Sequence, residues 1–513
     1  MIPDAIISKY LSLYARRRKR ILEKVKSDPS GVQKKALQYI LDKAKDTAIG
    51  NHFGFKEIKS VKDYQRKVPL MYYDQMKPWI DGCLEGRPDH IWPGRIKYFA
   101  LSSGTTTGKS KYIPLSNEII KRNRQAGLDC ISFYLNNTND TDLFKGKLLF
   151  LGGSTSLTPL KNGISAGDMS GVMSKFIPFY ARHLYEPGRK IALIPDWEVK
   201  IASVVERLKD SDVRLVCGIP PWLLILFEKL INAKGREKVC DVWQNFSLLI
   251  HGGLDFSPYE SLMRDLVGKD LYYMETYFAS EALIGIQDRP SPSSRAVNEE
   301  GLLLMLDYGI FYEFVKAEEL DKDNPVRYTV SDIELDTNYA IAITNINGLY
   351  SYFIGDTVKF VAKDPLRIKV TGRTKDYLSA LGEHVIGEEV EYAMSQALSR
   401  TGATINNYTV APHFPKDKSK RPGHQWLVEF SRRPDDADKF MDIIDAALCK
   451  KNRDYETRRE KGFSMAPPLL YELKKGTFYK WHKSKGQLGG QHKTPRLRSS
   501  REIAEELIKL NLE

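Results

Sequence analysis

The chain has 513 residues, of which 42% are hydrophobic, 28% charged and 11% aromatic, and its net charge at pH 7 is +13. This composition is typical of a folded protein with a large core and excludes disordered and collagen-like chains. No stretch reaches the ~18 apolar residues of a membrane span, and the N-terminus lacks a signal-peptide cleavage site. Five scattered cysteines without a Cys-x-x-Cys pair favour a reducing compartment, so we predict a cytoplasmic protein.

Helices and parallel strands are predicted for the first part of the chain. Residues 1–48 carry two helical patterns, which Asp28-Pro29-Ser30-Gly31 separates. From about Ile96, short β-rich runs alternate with helix-length segments, which is the pattern of βαβ units and a parallel sheet. These runs span residues 147–151, 213–217, 247–250 and 271–274.

A different pattern follows between Gly301 and Val370, where closely spaced strands predict an antiparallel or barrel-like sheet. A new βα pattern then begins with a helix over residues 388–401. We therefore predict an α/β fold with a large N-terminal domain, residues 1–373, and a small mobile α/β C-terminal domain, residues 374–513. The closely spaced strands are predicted over residues 302–306, 308–315, 339–344, 349–353 and 357–361.

The excess of basic residues is concentrated at the two ends of the chain. Residues 1–27 hold eight Lys and Arg against two acids, and residues 450–501 hold fifteen against four. Such patches attract nucleic acid, an anionic membrane surface or a polyphosphate ligand. No aromatic or Gly-rich nucleic-acid motif accompanies the N-terminal charges. We therefore interpret them as a solvated helix face, with peripheral membrane contact as the lesser alternative, and predict no nucleic-acid partner.

The segment Leu101 to Pro114 contains a candidate phosphate-binding loop. Its glycines allow the backbone to turn several N–H donors inward, its hydroxyls add donors and its lysine adds charge, which together suit a polyphosphate. The Walker A spacing is not met, because only three residues separate Gly104 from Gly108. The candidate phosphate-binding residues are Ser102, Ser103, Gly104, Thr105, Thr106, Thr107, Gly108 and Lys109.

This loop resembles that of adenylate-forming enzymes of the firefly-luciferase fold. The resemblance is specifically to the plant auxin- and jasmonate-conjugating acyl-acid amido synthetases and their bacterial relatives. Further elements of that family follow in the family's order, so the resemblance extends over most of the chain. They are Gly252-Gly253, the run Tyr277-Phe278-Ala279-Ser280-Glu281, the run ending in Gly355-Asp356, Gly372-Arg373, and Gln491-His492-Lys493-Thr494-Pro495-Arg496.

The resemblance implies a nucleotide site built from these elements. Glu281 is expected to reach a nucleotide-bound Mg²⁺, which prefers carboxylate and phosphate oxygens. Tyr277 or Phe278 is expected to cover adenine, and Asp356 and Arg373 are expected to contact the ribose. Gly253, Ala279 and Ser280 complete the nucleotide-binding set that the resemblance implies.

The C-terminal basic segment is expected to supply the catalytic cation. By resemblance, Lys493 acts on the α-phosphate as pyrophosphate leaves, in a domain that turns about a hinge at Lys375. Lys480, Lys483 and Lys485 are nearby rivals for the catalytic role.

The resemblance implies an ATP- and Mg²⁺-dependent enzyme with two chemical steps. A small carboxylic acid is first activated as an acyl-adenylate with release of pyrophosphate. An amine, foremost an amino acid, then forms an amide and releases AMP. The alternatives are an acyl-CoA or acyl-carrier ligase of the same fold and, in a different class, a nucleotide-regulated basic binding protein.

Overall fold

The structure is a computed structural model, and some of the predicted site lies outside the residues it describes. Those outside include Ser103 to Lys109 of the phosphate loop, the predicted hinge at Lys375 and the pair Gln491-His492. The structure describes residues 4–102, 111–152, 157–177, 182–194, 196–292, 300–320, 322–374, 377–378, 380, 383, 385–415, 421–460, 465–488 and 493–512.

The described α-helices are, in chain order, α1 (Asp4–Ser27), α2 (Pro29–Ala44), α3 (Ala48–His52), α4 (Val61–Lys67), α5 (Tyr73–Leu84), α6 (Asn117–Thr138), α7 (Met169–Ser174), α8 (Gly188–Ala192), α9 (Trp197–Leu208), α10 (Pro220–Lys234), α11 (Val239–Val242), α12 (Ser257–Val267), α13 (Gly387–Thr401), α14 (Ala437–Lys451), α15 (Arg453–Glu460), α16 (Thr477–Ser484) and α17 (Glu502–Leu512). None of these helices combines the length and apolarity needed to cross a bilayer.

The described strands are, in chain order, β1 (Tyr98–Ser102), β2 (Lys111–Leu115), β3 (Lys147–Phe150), β4 (Thr158–Pro159), β5 (Ser165–Gly167), β6 (Tyr185–Glu186), β7 (Val213–Gly218), β8 (Leu248–Gly252), β9 (Tyr272–Phe278), β10 (Leu283–Ile286), β11 (Ser291–Pro292), β12 (Leu302–Leu304), β13 (Ile310–Lys316), β14 (Asn338–Asn345), β15 (Tyr352–Lys363), β16 (Leu366–Arg373), β17 (Tyr377–Leu378), β18 (Val385–Ile386), β19 (Thr404–His413), β20 (Gly423–Arg432) and β21 (Leu469–Leu473).

The N-terminal helices form as predicted, with a sharper break between them. The carboxylate of Asp28 accepts a hydrogen bond of 2.9 Å from the Gly31 N–H, and Pro29 occupies the first turn of α2. An Asp N-cap followed by proline starts a helix efficiently, so Asp28 alone separates α1 from α2. Basic residues of α1 are largely exposed, but Arg18 is buried and paired with Asp129 and Asp307.

One 12-stranded sheet forms the centre of the molecule, in the order β13-β14-β15-β16-β12-β10-β9-β8-β7-β3-β6, with β11 on β9. The strands from β6 to β9 are parallel, whereas those from β9 to β13 are antiparallel. The antiparallel strands therefore continue the parallel sheet. A smaller sheet in the order β2-β1-β5-β4 carries the strand that leads into the phosphate loop.

One strand prediction was wrong. The two strands predicted over 349–353 and 357–361 are a single strand, β15, that runs through Gly355. Gly355 has φ +91°, a conformation that glycine adopts without steric cost, and the register with β16 shifts just beyond it. A glycine that suggests a chain break in the sequence therefore marks an irregular position within one strand.

The C-terminal part has its own sheet and core. Strands β19, β20 and β21 pair in that order, and apolar residues of α13 and α14, among them Ile444, pack with Ile405 and Trp426 of this sheet. Helix α12 of the N-terminal part packs against α13 and β19. The division of the chain at residue 373 stays a prediction.

Candidate functional site

A cavity of about 2030 Å³ lies where the carboxyl ends of β8 and β9 meet β15 and β16. Parallel strands direct their loops to one edge of a sheet, which is where α/β proteins commonly bind ligands. The sequence elements that bring the site residues here are far apart in the chain. The predicted site residues that line this cavity are Gly253, Tyr277, Phe278, Ala279, Ser280, Glu281, Asp356, Arg373 and Lys493.

Of the candidate phosphate-binding residues, the structure describes only the backbone of Ser102. Ser102 is the last residue of β1, although its side chain and Ser103 to Lys109 lie outside the described residues. On the other side of the loop, Lys111 begins β2 and lines the cavity. Strands β1 and β2 are antiparallel neighbours, with Ser102 opposite Lys111, so the two ends of the candidate loop are adjacent.

Glu281 is a buried carboxyl group at the floor of the cavity, with 7% of its surface exposed. The pKa of Glu281 is raised to about 7, chiefly because the group is buried; a backbone hydrogen bond, Lys111 and Arg373 act to lower the pKa, and the nearby charge of Asp356 acts to raise it. Asn345 and Asn347 donate to the Glu281 carbonyl oxygen at 3.0 and 3.2 Å and fix its backbone. A desolvated carboxylate of this kind is stabilised by a bound cation.

The geometry fits Mg²⁺ held jointly by protein and nucleotide. Among the described residues, no group of three or more His, Cys, Asp or Glu side chains is placed to hold a metal. Mg²⁺ characteristically takes one or two carboxylates together with phosphate oxygens and water. Glu281 meets that requirement only if phosphate supplies the remaining ligands.

Asp356 of β15 is held by two donors, one on the adjacent strand β16 and one on the more distant strand β9. The Tyr277 hydroxyl donates to Asp356 Oδ2 at 2.6 Å, and Arg373 Nε donates to Oδ1 at 2.9 Å. In the antiparallel pairing of β15 with β16, Asp356 lies opposite Arg373. The carboxylate is therefore oriented before any ligand binds, and its free lone pairs suit a vicinal diol such as ribose.

The two aromatic residues at the end of β9 have different surroundings. Tyr277 is buried, and burial together with the Asp356 charge raises the pKa of its hydroxyl. Phe278 is 42% exposed and lines the cavity, so its ring is available to a planar ligand. The Ala279 N–H donates to the Ala282 carbonyl at 2.9 Å, which closes a tight turn around Ser280.

Lys493 enters the cavity from the C-terminal part. Its side chain is exposed to solvent inside the open cavity, whose walls surround it. This enclosure lowers the pKa of Lys493 to about 8; Asp356 acts to raise the value and Arg373 to lower it. The rival lysines are exposed on or near α16 and do not line this cavity. Lys483 pairs with Glu198 at 2.8 Å and Lys485 with Glu506 at 2.6 Å.

Because Gly253 has no side chain, there is room above it for the Lys493 side chain. The backbone at Gly253 has φ +83°, and a Cβ placed there would lie 2.6 Å from Lys493 Cε. Real Cβ atoms do not approach other heavy atoms so closely, so the lysine passes directly over the glycine. His251, two residues before Gly253, packs against Phe256 with the ring centroids 4.2 Å apart. Burial lowers the pKa of His251 to about 3.

An apolar extension of the cavity lies between α6 and the face of the parallel sheet. Cys130 and Ile131 of α6 line one side, and Leu148, Leu215 and Ile250 line the other. All five side chains belong to the buried core or its border, so this part of the cavity suits a hydrocarbon group. The sequence analysis did not find this pocket, because its walls come from four separate elements with no shared motif.

Sequence reasoning also missed Tyr259 and Asn407, which contact the segment that carries Lys493. Tyr259 is an ordinary residue of α12 and Asn407 an ordinary residue of β19, so neither carries a motif.

Family models match three parts of the chain. The GH3 family N-terminal domain matches residues 18–219, its central domain residues 303–373 and its C-terminal domain residues 388–502. Together these domains cover most of the chain.

Characterised relatives and a solved structure match nearly the whole chain. An indole-3-acetic acid-amido synthetase of Arabidopsis thaliana is 22% identical over 95% of this chain and 92% of its own length. A 4-substituted benzoates-glutamate ligase of Arabidopsis thaliana is 22% identical over 84% of this chain and 87% of its own. The solved structure of the GH3.15 acyl acid amido synthetase superposes with a TM-score of 0.78 at 17% identity, over 96% of this chain and 95% of that one. The predicted α/β fold class, with a large N-terminal and a smaller C-terminal part, is confirmed.

Proposed function

Because this chain belongs to the GH3 family, we propose that it is an acyl-acid amido synthetase that activates a small carboxylic acid with ATP and transfers it to an amino acid. The predicted family and the predicted class of enzyme, an acid–amino acid ligase, are confirmed by the relatives described above. That the protein uses ATP and Mg²⁺, and that its substrates are a carboxylic acid and an amino acid, is part of the proposal.

The placement of Lys493 is the observation that carries the proposal. A lysine from the C-terminal part lies over Gly253, in the same cavity as Glu281, Asp356 and Arg373. A carboxylate for the cation, an oriented carboxylate for ribose and a cation for the α-phosphate are the groups that adenylate formation requires. A basic binding protein has no need of this combination.

In the proposed first step, a carboxylate oxygen of the acid attacks the α-phosphorus of ATP. The bond from the α-phosphorus to the bridging oxygen breaks, and pyrophosphate leaves with its electron pair. Lys493 stabilises the negative charge that grows on the α-phosphate, while Asp356 and Arg373 hold the ribose and Phe278 covers the adenine ring. Glu281 would hold Mg²⁺ together with phosphate oxygens, and the bound ion would supply positive charge to stabilise the leaving pyrophosphate.

In the proposed second step, the amine attacks the acyl carbonyl carbon and AMP leaves. The amide nitrogen loses a proton in this step, so an amide, AMP and one proton are the products. The hydrocarbon part of the acid lies in the apolar extension between α6 and the parallel sheet, which excludes water from the reactive carbonyl. We assign residues 1–373 to ATP and acid binding and residues 374–513 to the lid that carries Lys493.

Acid-dependent exchange of labelled pyrophosphate into ATP tests the first step. A library of carboxylic acids is screened with the wild-type protein, and Lys493→Ala is the matched negative control. Exchange that requires both an acid and Lys493 is the expected result. Absence of exchange with every acid would contradict the proposal and favour a nucleotide-regulated binding protein.

Mass spectrometry of products tests the second step. Each active acid is incubated with ATP, Mg²⁺ and the standard amino acids, and a parallel reaction contains coenzyme A. An acyl-amino acid is expected, whereas an acyl thioester without amide would identify an acyl-CoA ligase. The predicted cytoplasmic location and the absence of a nucleic-acid partner stay predictions.

A further inference from the structure

Arg496 is a buried cation at the contact between the N-terminal and C-terminal parts, with 7% of its surface exposed. Its Nη2 donates to the Tyr259 hydroxyl oxygen. Its Nη1 donates to Asn407 Oδ1 at 2.8 Å and to the Tyr408 carbonyl oxygen at 3.2 Å. The guanidinium group also lies over the Tyr408 ring, 4.5 Å from its centroid.

Tyr259 belongs to α12 of the N-terminal part, whereas Asn407 and Tyr408 belong to β19 of the C-terminal part. The guanidinium group of Arg496 therefore bridges the two parts of the chain. Tyr259 is fully buried, and its hydroxyl also donates to Asn407 Oδ1 at 3.5 Å. A buried hydrogen bond to a charged donor is about twice as strong as a neutral one, so this contact favours the arrangement in which it forms.

The segment from Lys493 to Arg496 is fixed to β19 along its length. Thr494 Oγ1 accepts from Asn407 Nδ2 at 2.8 Å and lies 2.9 Å from His482 Nε2. The Val410 N–H donates to the Arg496 carbonyl at 2.9 Å. These bonds lie within the C-terminal part, so they orient Lys493 relative to β19 but not relative to the nucleotide site.

We propose that the Tyr259–Arg496 hydrogen bond is the latch that positions Lys493 in the cavity for adenylate formation, an inference that rests on the proposed function. Tyr259 and Arg496 are positioning residues, since neither is assigned a contact with substrate. When the Tyr259 hydroxyl is removed, the Arg496 guanidinium loses a hydrogen-bond acceptor in the arrangement with Lys493 in the cavity. That arrangement is therefore destabilised relative to arrangements in which α12 and Arg496 are apart. The population with Lys493 in the cavity then falls, whereas arrangements in which Arg496 meets water are unaffected.

Tyr259→Phe tests the latch, because it keeps the ring and removes only the hydroxyl. We expect kcat for pyrophosphate exchange to fall about 10-fold, with KM for ATP and amide formation from supplied acyl-adenylate within about twofold of wild type. Tyr273→Phe is the matched control: Tyr273 is also fully buried, and its hydroxyl has no hydrogen-bond partner among the described residues. Wild-type exchange in Tyr259→Phe, or equal losses in both steps, would overturn the proposal.

A second measurement does not depend on turnover. The rate at which acetic anhydride acetylates Lys493 is followed by peptide mass spectrometry in the wild type, Tyr259→Phe, Arg496→Lys and Tyr273→Phe. We expect Lys493 of the two latch variants to react about threefold more slowly than that of the other two near pH 7, because the lysine spends less time in the cavity, where its lowered pKa leaves more of the amine neutral and reactive. Equal rates in all four proteins would refute the latch. Absence of exchange in the wild type would instead refute the proposed function and leave this labelling result to decide the latch.

Discussion

The substitution Gly253→Ala separates the stability of the protein from the placement of Lys493, the proposed catalytic residue. Alanine at φ +83° costs about 1–2 kcal/mol, because L residues are strained in the left-handed region. The new Cβ would also lie 2.6 Å from Lys493 Cε. That atom is near the free end of a flexible side chain, so the lysine moves aside at little additional cost in folding free energy.

Movement of Lys493 is costly for the reaction. Loss of one preorganised group that stabilises transition-state charge typically lowers kcat by about 10²–10³-fold, or about 2.7–4 kcal/mol. We therefore expect Gly253→Ala to lower pyrophosphate exchange by about 100-fold at saturating ATP. The affinity for ATP, measured by calorimetry, should change much less.

Gly94→Ala is the matched control for backbone strain. Gly94 has φ +80°, and a Cβ there meets no heavy atom within 4 Å. Both variants should lose the same 1–2 kcal/mol or so of unfolding free energy in urea, but only Gly253→Ala should lose exchange activity. Exchange by Gly253→Ala at the level of Gly94→Ala would refute the placement of Lys493 over Gly253.

Three further predictions concern the charged groups of the cavity. Lys493→Ala should lower pyrophosphate exchange by about 10²–10³-fold and leave ATP affinity nearly unchanged, and normal exchange would transfer the role to a rival lysine. Asp356→Ala should weaken ATP binding by about 1.5–3 kcal/mol in calorimetry, because a charged acceptor for ribose is lost; unchanged affinity would contradict that role. The pH profile of kcat/KM for ATP should be bell-shaped, since Glu281 with a pKa of about 7 is neutralised as pH falls and Lys493 with a pKa of about 8 is neutralised as pH rises. Glu281→Gln should remove the acidic limb, and its persistence would show that another group titrates there.

Much of the fold could be predicted from local patterns. The runs near residues 147–151 and 213–217 became parallel strands, and the helix over 388–401 begins one residue earlier, at Gly387. Hydrophobic periodicity reports which side of a short segment is buried, which is a local property. The pairing of strands is not local, so the continuity of the parallel and antiparallel strands in one sheet had to come from the structure.

In the candidate site, too, the sequence indicated individual residues but not the surroundings that the fold gives them. The resemblance to a known family, carried by motifs in a fixed order, indicated Glu281, Asp356 and Lys493 as site residues. Their ionisation could not be inferred in the same way, because desolvation of Glu281 depends on every group that surrounds it in the fold.

Sequence motifs were sufficient to identify the family, the α/β class and the residue types that a nucleotide and its cation need, because short motifs encode local backbone geometry and side-chain chemistry. The folded chain was needed to show that Lys493, among four candidate lysines, enters the cavity over Gly253. It also revealed the bond from Tyr259 to Arg496, which are 237 residues apart in the chain. Distances between remote residues arise from the packing of whole elements, so no local pattern records them.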